Sequence, residues 1–441
     1  MSNLNVIVGL GITGLSCARY LAARDIPFAV IDTRTSPPNL DVFHKEFPDR
    51  QVVLGHLDTD LLNKAQRIIL SPGVALQTPE MMQQAKQGKL IIGDVELFAQ
   101  AVTVPVIAIT GTNAKSTVTT LVGKMAEACG YHPQVGGNLG IPVLDLLGDA
   151  NTNLFVLELS SFQLETTFSL QAEVATVLNI TPDHMDRYVD FAAYIAAKKR
   201  IYRGCKVAVC NRDDELTEYN DAERRINFTL GHAQQNEFGL LRHQNETYLA
   251  YQDQPLIAVK ELPVVGKHYQ ANALAALAIG YGFGFEFSPM LEVLREFKGL
   301  AHRCQFVREL NGVKWYNDSK GTNVGATKAA IEGLGSEITS KMILIAGGVG
   351  KNADFSSLVP TVEKYVKQVI LIGEAAQELA MILDGRTDVS FAATLDEAVT
   401  QAAAIAKRND YVLLSPACAS FDMFRNFEHR GEVFMKIVEE L

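Results

Sequence analysis

The residues best suited to chemistry begin at an apolar run, Val106 to Thr110, that ends in Gly111-Thr112-Asn113-Ala114-Lys115-Ser116-Thr117. A strand that stops at a tight glycine-containing turn and restarts as a helix aims backbone N–H groups, and the positive end of the helix, at a phosphate. Lys115 would reach the terminal phosphates of a nucleotide, and the Ser116 or Thr117 hydroxyl would ligate Mg²⁺. The run departs from the common GxxxxGK[ST] pattern, with Ile109 and Ala114 at its two glycine places. The plainer alternative is a strand–turn–helix with an ordinary cap; ATP binding is the favoured reading.

Further along, Glu158 follows the apolar run ending at Leu157, where a nucleotide-binding sheet holds a magnesium-associated acid. A solvated turn residue is an equally good account of it. Asn179 to Tyr188 then crowds Asp183, His184, Asp186 and Arg187 onto a turn after another apolar run. Open α/β sheets bind ligands at that end of their strands. Ala196 to Tyr202, with Lys198, Lys199 and Arg200, reads from residue types alone as a basic helix face in water.

Near the N-terminus, Gly9, Gly11 and Gly14 form GxGxxG after the first apolar run, and Asp32 closes the second. Glycines there let a diphosphate approach a helix start, and the acid suits ribose hydroxyls. NAD and a UDP-sugar satisfy this cradle equally, so the glycines leave a dehydrogenase open. The phosphate loop a hundred residues later argues against one. Ser71-Pro72-Gly73 could line the same crevice.

These groups need a scaffold. Short β-branched runs at 5–8, 29–32, 68–70, 106–110, 155–157, 174–179, 343–346, 369–372 and 412–414 alternate with helical patterns. Strand, crossover helix, strand implies doubly wound, mainly parallel sheets, and continuously apolar runs imply sheets covered on both faces. We read an α/β chain in three units: 1–93, 94–299 and 300–441. Residues 211–259 are expected to be an inserted antiparallel section, and 273–285 a buried helix with its exit.

The chain has 441 residues, 48% of them apolar, and a formal net charge of -10. The acidic balance argues against nucleic acid and acidic lipid as partners. Six cysteines without a CxxC pair read as free thiols in a reducing compartment. With no leader in sight and no apolar run long enough to cross a bilayer, the expectation is a soluble cytoplasmic protein.

Taken in order, these motifs resemble the Mur ligase family, over essentially the whole chain. The most specific pieces are Gly111–Thr117, Leu157–Gln163, Asp183–Tyr188, Tyr316–Asn323 and Leu414–Asp422. Within the family the likeness is to members that join D-glutamate to UDP-N-acetylmuramoyl-L-alanine, using ATP and Mg²⁺, two ions in all. The resemblance implies three domains: a Rossmann-like N-terminal one for the UDP-sugar, a central P-loop ATPase-like one, and a Rossmann-like C-terminal one that closes on nucleotide and amino acid. A monomer is expected.

The resemblance also implies roles residue by residue. Gly111, Thr112, Asn113, Ala114, Lys115, Ser116, Thr117, Asn272, Arg303 and Asp318 face ATP. Ser116, Thr117, Glu158 and His184 accompany magnesium, as does Lys198, which matches a carbamoylated lysine and so reverses the basic-face reading. Thr13, Leu15, Asp32, Thr33, Arg34, Gly73 and Asn138 sit on the uridine side, with Ser160, Gln163 and His184 nearer the sugar. Lys320, Thr322, Lys351, Ser420 and Phe427 take the amino acid. Lys115, His184, Lys198, His302 and Asp318 are the catalytic candidates, with His302 and Asp318 as candidate bases.

Three positions depart from the family. Ala114 replaces a glycine, so its turn is expected to avoid a glycine-only backbone angle. Tyr269 replaces an asparagine after His268, and Val349 an acid. A related ligase for another amino acid is the runner-up, weakened because no Asp-Asn-Pro-Arg element is present. A nucleotide-binding regulator without ligation is the remaining alternative.

Overall fold

The computed structural model describes residues 4–264, 266–335 and 338–441, which build three sheets in sequence order. The first runs Val52–Leu54, Phe28–Asp32, Asn5–Val8, Arg67–Leu70, Leu90–Ile92, all parallel. The second has Val106–Thr110 inside it, between Leu154–Glu158 and Val174–Val177. Pro133–Gly137 forms one edge, and Val207–Asn211 and Arg224–Phe228 extend the other in parallel. Only Glu237–His243, Glu246–Tyr251 and Gln254–Ala258 form the antiparallel section, so it begins later than residue 211. The third sheet runs Gln305–Leu310, Val313–Asn317, Tyr411–Leu414, Met342–Gly347, Val366–Ile372, Asp388–Phe391. Its first strand alone is antiparallel to its neighbour.

The apolar runs are continuous because successive side chains enter different cores. Along Val106–Thr110, Val106 and Ala108 join the core shared with the first sheet, while Ile107 and Ile109 join the core under the helix Lys267–Phe283. That helix buries Ala273 through Gly280 and stops at Gly284, whose φ of 105° a side chain would resist. Phe98, on the helix Asp94–Ala99, meets Phe155 edge-on at 5.0 Å, inside the shared core.

Hydrogen bonds join the units at their ligand-facing loops. Arg187 donates to the carbonyls of Pro72 at 3.2 Å and Val74 at 2.9 Å, with its guanidinium over the Phe162 ring. Arg303 donates to Ser116 Oγ at 3.0 Å, and Lys351 Nζ lies 3.7 Å from Asp183. Among the described residues no helix is long and apolar enough to cross a membrane.

Candidate active site

The first site is a crevice of about 530 Å³ at the carboxyl ends of the first sheet. Gly9 takes φ 98°, and a Cβ on Gly14 would strike the Gly9 carbonyl, so the helix Ile12–Ala22 starts hard against the turn. Thr13, Asp32, Thr33, Arg34, Gly73, Asn138 and Gln163 all line the crevice, as sequence suggested. Leu15 does not: it is 6% exposed and packed in the core. Ile12, one turn earlier on the helix, is 69% exposed and lines the crevice instead. Ser160 is not in the wall, but its hydroxyl donates to Gln163 Oε1 at 3.2 Å and so orients that amide.

Asp32 is not free for a ribose. Its two carboxylate oxygens accept from Leu10 N, Arg34 N, Arg34 Nε and Arg34 Nη2, at 2.7–2.9 Å. Burial would raise its pKa, yet these bonds hold it below the usual carboxylate range. The acid shapes the loop that carries Arg34, and the dehydrogenase reading loses its ribose anchor.

The second site is a cavity of about 280 Å³ between the second and third sheets. Asn113, Ala114 and Thr117 of the phosphate loop line it, with Asn272, Arg303, Asp318 and Lys320. His268 and Tyr269 also line it, and both His268 Nδ1 and the Tyr269 hydroxyl are buried without a hydrogen-bond partner. Lys320, expected on the amino-acid side, thus borders the same cavity as the residues expected to face ATP.

The phosphate loop differs from expectation in two ways. Ala114 takes φ 67° and ψ −7°, the left-handed region it was expected to avoid. A Cβ makes that region costly, by about 1–2 kcal/mol, without barring it. The amides of Thr112 and Asn113 are spent on Asn179, on its backbone O at 2.9 Å and its Oδ1 at 2.8 Å. The N–H groups left for a phosphate are therefore those of the first turn of Lys115–Ala128, which have no helical partner. Lys115 Nζ folds back onto the carbonyls of Gly111 and Thr112, both at 2.9 Å. Burial lowers its pKa, and nearby Glu158 and Asp183 oppose that shift.

Glu158 is 2% exposed; Oε1 accepts from Asn138 and Oε2 has no partner. An orphaned buried carboxylate oxygen on the strand next to the phosphate loop's own is a donor that fits an oxygen-preferring cation such as Mg²⁺. Lys198, far from forming a basic face in water, is 2% exposed and donates to Gly111 O at 2.7 Å. Burial, with Lys115 adding to it, pushes its pKa well below the lysine range, which favours a neutral, nucleophilic amine. His184, at φ 59°, packs its ring against Phe162 and is held neutral mainly by burial.

Across the seam, Asp318 accepts from Ser415 Oγ at 2.7 Å and Cys304 N at 3.1 Å, and burial pushes its pKa up to about 6. Lys320 lies 3.5 Å over the Phe427 ring, and burial lowers it to about 8. His302 is turned away from the cavity wall, its Nδ1 2.9 Å from Asn317 Nδ2 and its ring against Phe427. Val349 pairs by backbone with Ala419, 3.0 Å in each direction, which fixes the loop before Lys351 beside Ser420 without needing an acidic side chain.

Sequence families match in the same order: the Mur ligase MurD-like N-terminal domain over residues 3–93, the Mur ligase middle domain over 109–280, and the Mur ligase glutamate ligase domain over 302–418. A UDP-N-acetylmuramoylalanine–D-glutamate ligase of Pseudomonas putida is 53% identical over 97% of this chain and 96% of its own. The chain belongs to the Mur ligase family. A second enzyme of that description, from Coxiella burnetii, is 52% identical over 100% of this Mur ligase and 99% of its own length. Among solved structures, the UDP-N-acetylmuramate-alanine ligase of Thermotoga maritima shares the fold, with a TM-score of 0.61 at 18% identity over 99% of both chains.

Sequence reasoning missed Ile12, Asn179 and Asn323. The local signal for Ile12 was its place between the fingerprint glycines Gly11 and Gly14; its exposure emerges only in the fold.

Proposed function

We propose that this Mur ligase joins D-glutamate to UDP-N-acetylmuramoyl-L-alanine at the expense of ATP, in the cytoplasmic synthesis of peptidoglycan precursors. The observation that carries the reading is that one carboxylate links the first crevice to the phosphate loop: Asn138, in the crevice wall, donates to Glu158, which pairs across the sheet with Ile109 on the strand leading into that loop. A sugar nucleotide extending from the first crevice would bring its carboxylate to the triphosphate end of the second. The high identity to enzymes bearing that description supports the substrate pair.

Carboxylate is too poor an electrophile to take an amine directly. In the proposed step a carboxylate oxygen attacks the γ-phosphorus, the bond to ADP breaks, and an acyl phosphate results. The D-glutamate nitrogen then attacks the acyl carbon, loses a proton, and phosphate leaves. Lys115 and Arg303 lie where anionic groups must crowd together, and their positive charge offsets the repulsion. Glu158, Ser116, Thr117, His184 and a carbamoylated Lys198 would hold Mg²⁺, two ions in this reading, which supplies further charge neutralisation when bound. Carbamoylation adds CO₂ to the neutral Lys198 amine with loss of one proton. Thr322, Lys351, Ser420 and Phe427, with Lys320, would take the amino acid, and docking of the third unit (300–441 in our division) would exclude water from the acyl phosphate.

The test is ATP-dependent phosphate release with UDP-N-acetylmuramoyl-L-alanine and Mg²⁺, offering D-glutamate, L-glutamate, meso-diaminopimelate and D-alanyl-D-alanine in parallel, with mass detection. We expect phosphate and a product one residue heavier with D-glutamate alone. A product with another amine would overturn the substrate assignment, and silence with all four would overturn the ligase reading.

A further inference from the structure

One carboxamide joins three loops across the seam of the second and third sheets. Asn323 is 8% exposed and opens the helix Val324–Gly335, its Oδ1 accepting from Ala326 N at 2.9 Å. Its Nδ2 donates to Asn113 Oδ1 in the phosphate loop at 3.1 Å and to Asp183 Oδ2 at 3.1 Å. Both acceptors are fixed from behind. Asn113 N is bonded to Asn179 Oδ1, and Asp183 accepts from His184 N at 2.9 Å and faces Lys351 Nζ. A primary amide can accept from a helix start while donating two N–H groups elsewhere; a carboxylate or hydroxyl can keep the cap but lacks that pair of donors.

The chain just before Asn323 carries Lys320 and Thr322, and Thr322 N bonds back to Lys320 O at 2.8 Å. Gly325, just after it, lies so close that a Cβ would come within 3.0 Å of Thr181 Oγ1. The backbone on both sides of Asn323 is thus pressed onto the central unit, with the amide at the centre of the contact.

We infer that Asn323 is a positioning residue that couples the phosphate loop to the amino-acid loop, holding Lys320 and Thr322 in register only while its amide spans Asn113 and Asp183. The inference rests on the ligase reading above. Asn323 touches no reacting group in this account, so its loss acts on the assembly of the site rather than on phosphate binding alone.

The test uses Asn323→Asp and Asn323→Ser in the full chain. Both keep a capping oxygen; Asp sets a carboxylate against Asp183, and Ser removes the amide without adding charge. We expect KM for D-glutamate to rise about tenfold or more and kcat to fall about tenfold or more, as for a lost hydrogen bond to a charged group. The ATP dissociation constant of the free enzyme should stay within about twofold. Combined with Asn113→Ala, the Ser variant should lose less than the sum of the two single losses, because the one contact they share cannot be broken twice. Additive losses, or unchanged D-glutamate kinetics in the Ser variant, would overturn the inference while leaving the ligase reading standing. A wild-type enzyme silent in the same assay would instead overturn the ligase reading, and the inference with it.

Discussion

Asn138 donates a 2.7 Å hydrogen bond to Glu158, so a residue lining the crevice of the first sheet sets the position of the acid beside the phosphate loop. The other Glu158 oxygen has no protein partner, which leaves Asn138 as the group orienting the carboxylate. Losing a hydrogen bond to a charged group costs about 1.5–3 kcal/mol. Asn138→Ala should therefore raise both KM for the sugar nucleotide and the Mg²⁺ concentration for half-maximal rate by roughly tenfold. Initial rates against each, at saturating levels of the other substrates, check this; movement in neither would mean the bond orients nothing.

Lys198→Ala should lower kcat by about a hundredfold or more, in the range for a lost electrostatic contact to developing charge, while the protein melts within a few degrees of wild type. Intact mass of the wild type should show one added CO₂ in bicarbonate. Full activity in bicarbonate-free buffer, with the lysine unmodified, would remove the carbamate from the mechanism.

Ala114 offers a test on the backbone. Its left-handed conformation costs about 1–2 kcal/mol that glycine would not incur, set against about 0.5–1 kcal/mol of extra chain entropy for glycine. Ala114→Gly should keep full activity and gain up to about 1 kcal/mol, read from chemical denaturation. Ala114→Val should weaken ATP binding by roughly tenfold or more, since a β-branched residue resists positive φ. Equal ATP affinity in all three proteins would show that the turn angle does not matter to the nucleotide.

Asp318 gives a pH dependence with a defined sign. Its pKa is raised by burial to about 6 in the fold, from an ordinary aspartate value of about 3.9. A carboxyl raised in the folded state contributes stability that is fully present below the unfolded pKa and is lost as pH rises through the folded one. Stability should thus fall between about pH 4 and pH 6, by up to about 3 kcal/mol for a shift of roughly two units. Asp318→Asn should flatten that slope and be the more stable protein at pH 7, though far less active. Asp94, raised to about 6 by the same cause, remains in both proteins and leaves a smaller slope of the same sign. Melting temperatures of the two proteins at pH 4, 5, 6 and 7 decide it; parallel curves would exclude Asp318 as the source.

The strands were legible because a sheet covered on both faces needs unbroken apolar runs, and such runs stand out in this chain. The run from Val174 was read two residues too long, because Leu178 and Asn179 stay buried or half-buried after the ladder ends at Val177. The phosphate loop and the crevice glycines were legible as local patterns. Leu15 was misplaced through helix phase: a shift of three residues separates the crevice from the core. Asn179, Arg187 and Asn323 act on partners 66, 113 and 210 residues away, and no local pattern encodes such a distance. Lys198 shows the converse. Its neighbours Lys199 and Arg200 disguise a buried amine as one of a basic cluster.

The cavity proposed for the nucleotide has one wall on the helix Lys267–Phe283 and another on Val324–Gly335, so neither unit owns it. A molecule seated there at a hundred times its dissociation constant adds about 2.7 kcal/mol against unfolding, and it adds it to both units together. Calorimetry should then find separable melting events in the empty protein merging into one as nucleotide fills the seam. Heat resistance and resistance to proteases in this chain thereby become a gauge of how much nucleotide surrounds it.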